Sequence, residues 1–235
     1  RYKQSVVGIL WAVLQPFLMM VVFTIFFGKI AVIDTHGIPY PIFAFVGLLF
    51  WNYFSSSVTS ASNSLVANQA IIQKIYFPRV IMPISATMVH FFDFTFAFLI
   101  LVALLVYYKF LPTLLGVILF LPSIFIMFLL VTGVGLFFSA VTVKYRDVRY
   151  ALPFFIQLLL FVTPVIYPTS ILGTYGWLWY LNPMSGVIES MRVGVFGLGV
   201  FNWKLFLASF VVSLLCFIVG FVFFKKTERY FNDII

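Results

Sequence analysis

The sequence predicts an all-α integral membrane protein of six transmembrane helices with both termini in the cytoplasm. Three observations predict it: the composition, the spacing of the apolar runs and the placement of the basic residues. The chain of 235 residues is 64% hydrophobic and only 9% charged, with mean hydropathy +1.17, whereas soluble domains carry about 25% charged residues. Phe alone (32) outnumbers Lys and Arg (14) together with Asp and Glu (6). So few charges cannot cover a water-facing surface, which excludes a soluble enzyme, a nucleic-acid-binding domain and a disordered chain.

A spanning helix needs about 20 apolar residues to cross about 30 Å of hydrocarbon. Residues 8–30 meet this, with Lys29 placed to snorkel, and are too long for a cleavable signal. Residues 41–61 form the second span, turning rich in hydroxyls at Ser55, Ser56, Ser57, Thr59 and Ser60. Residues 80–107 form the third, bounded by Arg79 and Lys109. Residues 113–142 form the fourth, long enough to tilt or to bend at Pro122. Residues 151–167 make a shorter fifth span, interrupted by Pro153 and Pro164, and residues 205–224 a sixth, stopped by Lys225 and Lys226. The chain opens at Arg1 rather than Met, so an N-terminal piece is expected to be missing.

Six spans place both termini on one side, and the basic residues choose which. Arg1, Lys3, Lys74, Arg79, Lys144, Arg146, Arg149, Lys225, Lys226 and Arg229 fall on one side; Lys29, Lys109, Arg192 and Lys204 fall on the other. Lys and Arg collect in cytoplasmic loops, so the richer side is cytoplasmic. Most of the net charge of +8 is thereby topology, and no nucleic-acid partner is needed to explain it.

Three segments are more than loops. Residues 62–77 are long enough for about four helical turns and mix Leu65, Ile71, Ile72, Ile75 and Tyr76 with Asn68, Gln69, Gln73 and Lys74. They are expected to form a cytoplasmic helix at the membrane surface or against a partner. Residues 144–149 (KYRDVR) form a charged cytoplasmic turn. Residues 169–204 carry Tyr175, Trp177, Trp179 and Tyr180 and are broken by Pro183. They are too interrupted to span and too apolar for a free loop. A re-entrant helical hairpin on the outer side fits, since irregular backbone at membrane depth must be covered by protein or face a water-filled cavity.

Chemistry is sparse. No G-x-x-x-x-G-K-[ST] phosphate loop occurs, neither His36 nor His90 has a metalloprotease or deaminase context, and no G-x-S-x-G occurs. The single cysteine, Cys216, excludes a disulfide framework within the chain. No two glycines are four apart, so a G-x-x-x-G dimer seam is unsupported. Asp93, deep in the third span with His90 one turn before it, is an intramembrane acid and so a functional candidate. With so few ionisable partners, a structural hydrogen bond between helices is the stronger reading. Glu189 and Arg192, at i and i+3, are expected to pair and make the hairpin tolerable near the membrane. Tyr and Trp at span ends, Tyr167 among them, fit interfacial belts. The flat faces of Tyr175, Trp177, Trp179 and Tyr180 suit a lipid interface or, less readily, sugar rings.

Four strings in register carry a resemblance. Arg1-Tyr2-Lys3-Gln4-Ser5 with Gly8, Trp11 and Pro16; Asn68, Lys74, Phe77-Pro78-Arg79 and Pro83; Tyr145-Arg146-Asp147-Val148; and Thr163-Pro164-Val165-Ile166-Tyr167, Asn182-Pro183-Met184, Glu189 and Arg192 together resemble the ABC-2-type polysaccharide export permeases, the membrane subunits of exporters for O-antigen, capsule and teichoic acid. The resemblance covers nearly the whole chain and makes residues 1–235 a single transmembrane domain, its preceding interface helix largely missing.

The resemblance implies a half-transporter in the cell inner membrane: a homodimer served by two nucleotide-binding ATPase subunits, which would bind ATP and Mg, with no cofactor in this chain. It implies export of a lipid-linked polysaccharide, with ATPase coupling through Asn68, Gln69, Lys74, Tyr76, Phe77, Arg79, Arg146 and Asp147. Spans one and five would line the path, and Tyr167, Tyr175, Trp177, Trp179, Tyr180, Glu189 and Arg192 would form an outer gate with sugar contacts. The alternatives are an ABC-2 permease for a drug or a simple lipid and, further off, a membrane-embedded enzyme acting on lipid-linked sugars. An ion or proton channel through Asp93 is a third.

Overall fold

A computed structural model describes residues 10–74 and 77–229, and every regular element among them is helical. α1 (Leu10–Phe23) runs on through a more widely wound stretch, Thr24–Ile30. α2 (Tyr40–Ala67), the single turn α3 (Gln69–Ile72), α4 (Ile81–Tyr107), α5 (Leu114–Lys144) and α6 (Val148–Val162) follow. A 3₁₀ stretch, Thr169–Tyr180, then leads to α7 (Pro183–Phe196) and α8 (Trp203–Glu228).

Among the described residues four helices, α2, α4, α5 and α8, are long and apolar enough to cross a membrane. Their 26 to 31 residues reach roughly 39–46 Å at 1.5 Å per residue. α6, with 15 residues, reaches only about 22 Å and falls short of the hydrocarbon thickness. It stops where Thr163 turns extended (φ −99°, ψ 142°), as expected for the residue before a proline. The expected fifth span is thus a short helix followed by a non-helical stretch.

α2 and α5 make the centre of the bundle. α4 lies along α2, α8 along α5, and α7 is wedged against both α5 and α8; α1 rests on α2 and α4, and α6 chiefly on α2. In the most apolar part of α2, 78% of the residues are buried, against 28% for α4 and 22% for α8. The outward faces of α4 and α5 present side chains such as Val106, Val117 and Leu121. Continuous apolar faces of this extent belong against lipid.

Single glycines set the closest helix crossings. A Cβ on Gly220 of α8 would collide with the Gly133 carbonyl of α5, and one on Gly116 of α5 with the Gly194 carbonyl of α7. Small residues let helix backbones touch where lipid gives no hydrophobic drive for association. The glycines that matter face each other across helices rather than repeating along one.

The expected separate helix over residues 62–77 is not what forms. α2 continues through Ala67, and only Gln69–Ile72 makes a further turn. The polar residues that signalled a boundary are absorbed by the helix itself. Ser62 Oγ and Asn63 Nδ2 both donate to the Thr59 carbonyl, Ser64 Oγ to Ala61, and Asn68 Nδ2 to Ser64, at 2.7–3.0 Å. Such back-bonding lets short polar side chains persist in a helix.

Candidate functional site

The expected site residues fall at two ends of the bundle, with His90 and Asp93 between them. At the basic end, Leu65 of α2, Ile72 of α3, Leu136, Ala140 and Val143 of α5 and Phe224 of α8 form a small separate core, with Phe77 packed against it. Arg79 Nη1 donates to the Glu228 carbonyl at 3.1 Å, tying the start of α4 to the end of α8. Asn68 caps the turn α3, its carbonyl accepting from Ile71 and Ile72. Lys74, Arg146 and Asp147 are exposed beside this core or on the turn after α5, and Gln69 is half-buried. Asp147 starts α6, its backbone carbonyl accepting from Tyr150 and Ala151. Asn68, Gln69, Phe77 and Arg79 therefore share one structured end with the charged turn. Tyr76 lies outside the described residues.

The opposite end is organised by Arg192. It is 3% exposed, and its guanidinium donates to four backbone carbonyls. Nη1 reaches Pro164 at 2.7 Å and Tyr167 at 3.3 Å; Nη2 reaches Val165 at 2.6 Å and Phe43 at 3.4 Å. It also sits 3.6 Å over the Phe43 ring, a cation–π contact. Pro164, Val165 and Tyr167 belong to the stretch where α6 ends, so α7 supplies a charged donor fork to carbonyls that lost their helical partners. Burial pulls the guanidinium down to about 10, opposed by Glu189 and Tyr40; it stays charged at neutral pH.

The expected Glu189–Arg192 ion pair is replaced by these carbonyls. Glu189, half-buried, supplies a favourable field, but the two side chains form no ion pair among the described residues. The sequence could not show this, because backbone carbonyls carry no residue signature.

The aromatic cluster divides. Tyr167 and Trp179 approach each other, with ring centroids 6.1 Å apart. Trp179 is buried and its Nε1 donates to the Thr169 carbonyl at 2.8 Å, while the Tyr167 hydroxyl donates to Phe161. Tyr180 takes a hydrogen bond from Asn202 at 3.4 Å. Tyr175 and Trp177 point outward and are exposed. The arm Thr169–Tyr180 breaks at Gly173 (φ 47°), a left-handed conformation open to glycine at little cost. The second arm, α7, begins with Asn182 accepting from the Met184 N–H and ends at left-handed Gly197. Residues 169–196 are thus a helical hairpin with one light arm and one buried arm.

Between the ends, Asp93 Oδ2 lies 3.1 Å from His90 Nδ1, and His90 Nε2 lies 2.6 Å from Ser60 Oγ of α2. The intramembrane acid thus orients a histidine that links α4 to α2. The sequence marks Ser60 only as one hydroxyl of a Ser/Thr-rich stretch; the fold alone brings it to His90. Asp93→Asn keeps an oxygen acceptor for His90, so its stability should stay within about 1 kcal/mol of wild type. His90→Ala leaves Ser60 and Asp93 facing an apolar gap and should cost about 1–3 kcal/mol. Thermal unfolding of both variants checks this. A larger loss for Asp93→Asn than for His90→Ala would contradict the linking role. Of the hydroxyls near the middle of α2, Ser57 is fully buried, whereas Ser55, Ser56 and Thr59 are half-buried.

Among the described residues no cluster of three or more His, Cys, Asp or Glu could hold a metal ion. The long apolar helices with outward apolar faces define a multi-pass helical membrane protein. The comparisons give the particular kind. Residues 1–196 match the model of the ABC-2 type transporter family, and the chain belongs to that family. It is 30% identical over 237 aligned residues to an O-antigen export system permease protein, RfbA, of Klebsiella pneumoniae, covering all of this chain and 90% of that protein. An RfbA permease of Myxococcus xanthus is 30% identical over 82% of this chain and 74% of its own length. The polysialic acid transport protein KpsM of Escherichia coli is 25% identical over 83% of this chain and 76% of its own.

Proposed function

We propose that this chain is the membrane-spanning subunit of an ATP-driven exporter. It moves a lipid-linked polysaccharide of the O-antigen, capsule or teichoic acid type from the cytoplasmic to the outer side of the inner membrane. The observation that carries this reading is end-to-end similarity to O-antigen export permeases. With no phosphate loop in its sequence, the chain takes its energy from two separate nucleotide-binding subunits, which hold ATP and Mg.

On this reading the basic end is cytoplasmic and both termini lie there, with α1 and α6 completing six crossings. α6 buries only Leu152, Ile156 and Leu160 and leaves Phe154, Phe155 and Leu158 uncovered; α1 leaves Phe17, Leu18 and Val21 uncovered. A second copy of the chain would cover such faces, and a path between two copies would be lined by them. Closure of the ATPase pair on ATP pushes on α3, Phe77, Arg79 and the Arg146–Asp147 turn. Their shared core with α5 and α8 converts the push into rigid-body movement. The hairpin 169–196 gates the outer exit. The moving polymer makes many weak contacts, with exposed Tyr175 and Trp177 as candidates and Tyr167, Trp179, Tyr180 and Glu189 as the frame behind them.

The test is reconstitution of the chain with its copurified ATPase and a lipid-linked glycan. ATP-dependent delivery of the glycan to the far side is expected; failure with every such glycan, despite a bound ATPase, would refute the proposal. The double variant Arg146→Ala/Asp147→Ala should lower ATP hydrolysis by the assembled complex about tenfold, the size of one or two charge-assisted contacts. Its folded yield should not change, since both side chains are exposed.

A further inference from the structure

A cavity of about 330 Å³ lies at the Arg192 end of the bundle, at the small end of the range of about 300–1,000 Å³ that ligand sites occupy. The loop before α2, the start of the hairpin, α7 and the turn after α7 wall it. The Arg192 fork already ties α2, the stretch after α6 and α7 together. The walls are thus fixed before a ligand arrives, which lowers the cost of binding.

The walls are of two kinds. Ile38, Pro168 and Val193 offer apolar surface, while Glu189, Thr169 and Ser170 offer side-chain oxygens. Among the described residues none of these three polar side chains takes part in a hydrogen bond or an ion pair. The Glu189 carboxylate is half-buried and acts only as an acceptor when ionised, so it keeps both oxygens for donors that enter.

Charge narrows the choice of ligand. A cation drawn to Glu189 would meet the guanidinium of Arg192 in the same wall. The Nη atoms of Arg192 are committed to carbonyls, and its Nε is buried without a partner. An anion would meet Glu189 instead. Asp34 and His36, 3.8 Å apart near the rim, are both well exposed, and solvent screens them. The ligand that fits is neutral, carries several hydroxyl donors and has an apolar C–H face. A pyranose ring has all three properties.

We propose that this cavity binds one neutral pyranose unit. Two of its hydroxyls donate to Glu189, in hydrogen bonds of the stronger, charge-assisted kind. Thr169 and Ser170 meet the other hydroxyls, and the C–H face packs on Ile38 and Pro168. A free glycoside, a glycolipid headgroup and one unit of an exported glycan share this chemistry. That the cavity faces the outer side rests on the export reading; the binding itself does not.

Saturation-transfer NMR on the intact chain in phosphatidylcholine nanodiscs tests it. The probes are the methyl glycosides of glucose, mannose, galactose and N-acetylglucosamine, with methyl glucuronide as the anionic counterpart. At least one neutral glycoside should give a saturable signal, and the glucuronide should bind more weakly than the glucoside. Glu189→Gln should weaken the neutral glycoside about tenfold, as one charged acceptor becomes a neutral one. It should also remove the discrimination against the glucuronide, which a merely structural role would not do. Ser170→Trp fills the mouth from an exposed position and should abolish the signal, so the test stands even if Glu189→Gln fails to fold.

No saturable signal from any neutral glycoside overturns the proposal. So does a signal that survives Glu189→Gln and Ser170→Trp but disappears in Tyr175→Ala/Trp177→Ala, which would place the sugar on the exposed aromatic arm. In the complex reconstituted with its ATPase, the bound glycoside slowing glycan delivery assigns the site to the moving cargo. Binding without slowing assigns it to a free or headgroup sugar. Failure of glycan delivery with glycoside binding intact would count against the export reading and leave the site standing.

Discussion

Replacing Arg192 by Ala is expected to cost about 3–5 kcal/mol of stability, seen as loss of folded protein or a large drop in melting temperature in detergent. Four carbonyls lose their donor at once. Each buried acceptor left unpaired costs about 1–3 kcal/mol, partly offset as the site relaxes. Arg192→Lys should fall between. Its ammonium keeps the charge but is a point donor on a flexible stem, whereas the carbonyls are met by two ends of a planar fork. Arg192→Lys also loses most of the stacking on Phe43. Glu189→Gln removes only a nearby field and should shift stability by less than about 1 kcal/mol. An Ala variant melting within about 2 °C of wild type, no more than the shift that about 1 kcal/mol produces in a chain of this length, would show that the guanidinium does not hold the end of α6.

Gly133→Leu or Gly220→Leu should be nearly as damaging, at about 3 kcal/mol or more. Overpacking usually costs about 1–3 kcal/mol when side chains can adjust. Here an added side chain meets main chain: the Gly133 carbonyl from Gly220, and the Phe217 backbone from Gly133. Neither helix can yield without separating α5 from α8, the most extensive contact in the fold. Even Gly220→Ala should be felt. Gly176→Ala is the control: nothing lies near its added Cβ, and its effect should stay within about 0.5 kcal/mol. Melting curves for the four variants, with the proportion extracted as a monodisperse species, provide the comparison. Equal stability for Gly220→Leu and Gly176→Ala would refute the crossing argument.

The long apolar helices were legible because a run of more than 20 apolar residues admits few other structures. The hairpin was legible too, through Pro183 and an apolar, aromatic stretch too interrupted to span. What failed was boundary reading in polar stretches. Ser62 to Asn68 look like a new element, but their side chains bond within the turn before them, so the helix runs on. Residues 151–167 look like one span, but with Pro164 ahead the helix ends five residues early, at Val162. Partners remote in sequence were beyond reach: Ser60 for His90, and the carbonyls of Phe43 and Pro164 for Arg192. The glycine crossings were hidden for the same reason, since Gly133 and Gly220 are 87 residues apart and share no motif.

The Arg192 network has a further consequence. Its acceptors lie on the first turn of α2 and on the stretch after α6, and the donor, Arg192, lies on α7. A guanidinium in apolar surroundings cannot give up its acceptors one at a time without a large penalty at each stage. That end of the protein therefore cannot loosen by degrees. It behaves as an all-or-none latch, with all three segments staying together or moving as one cooperative unit.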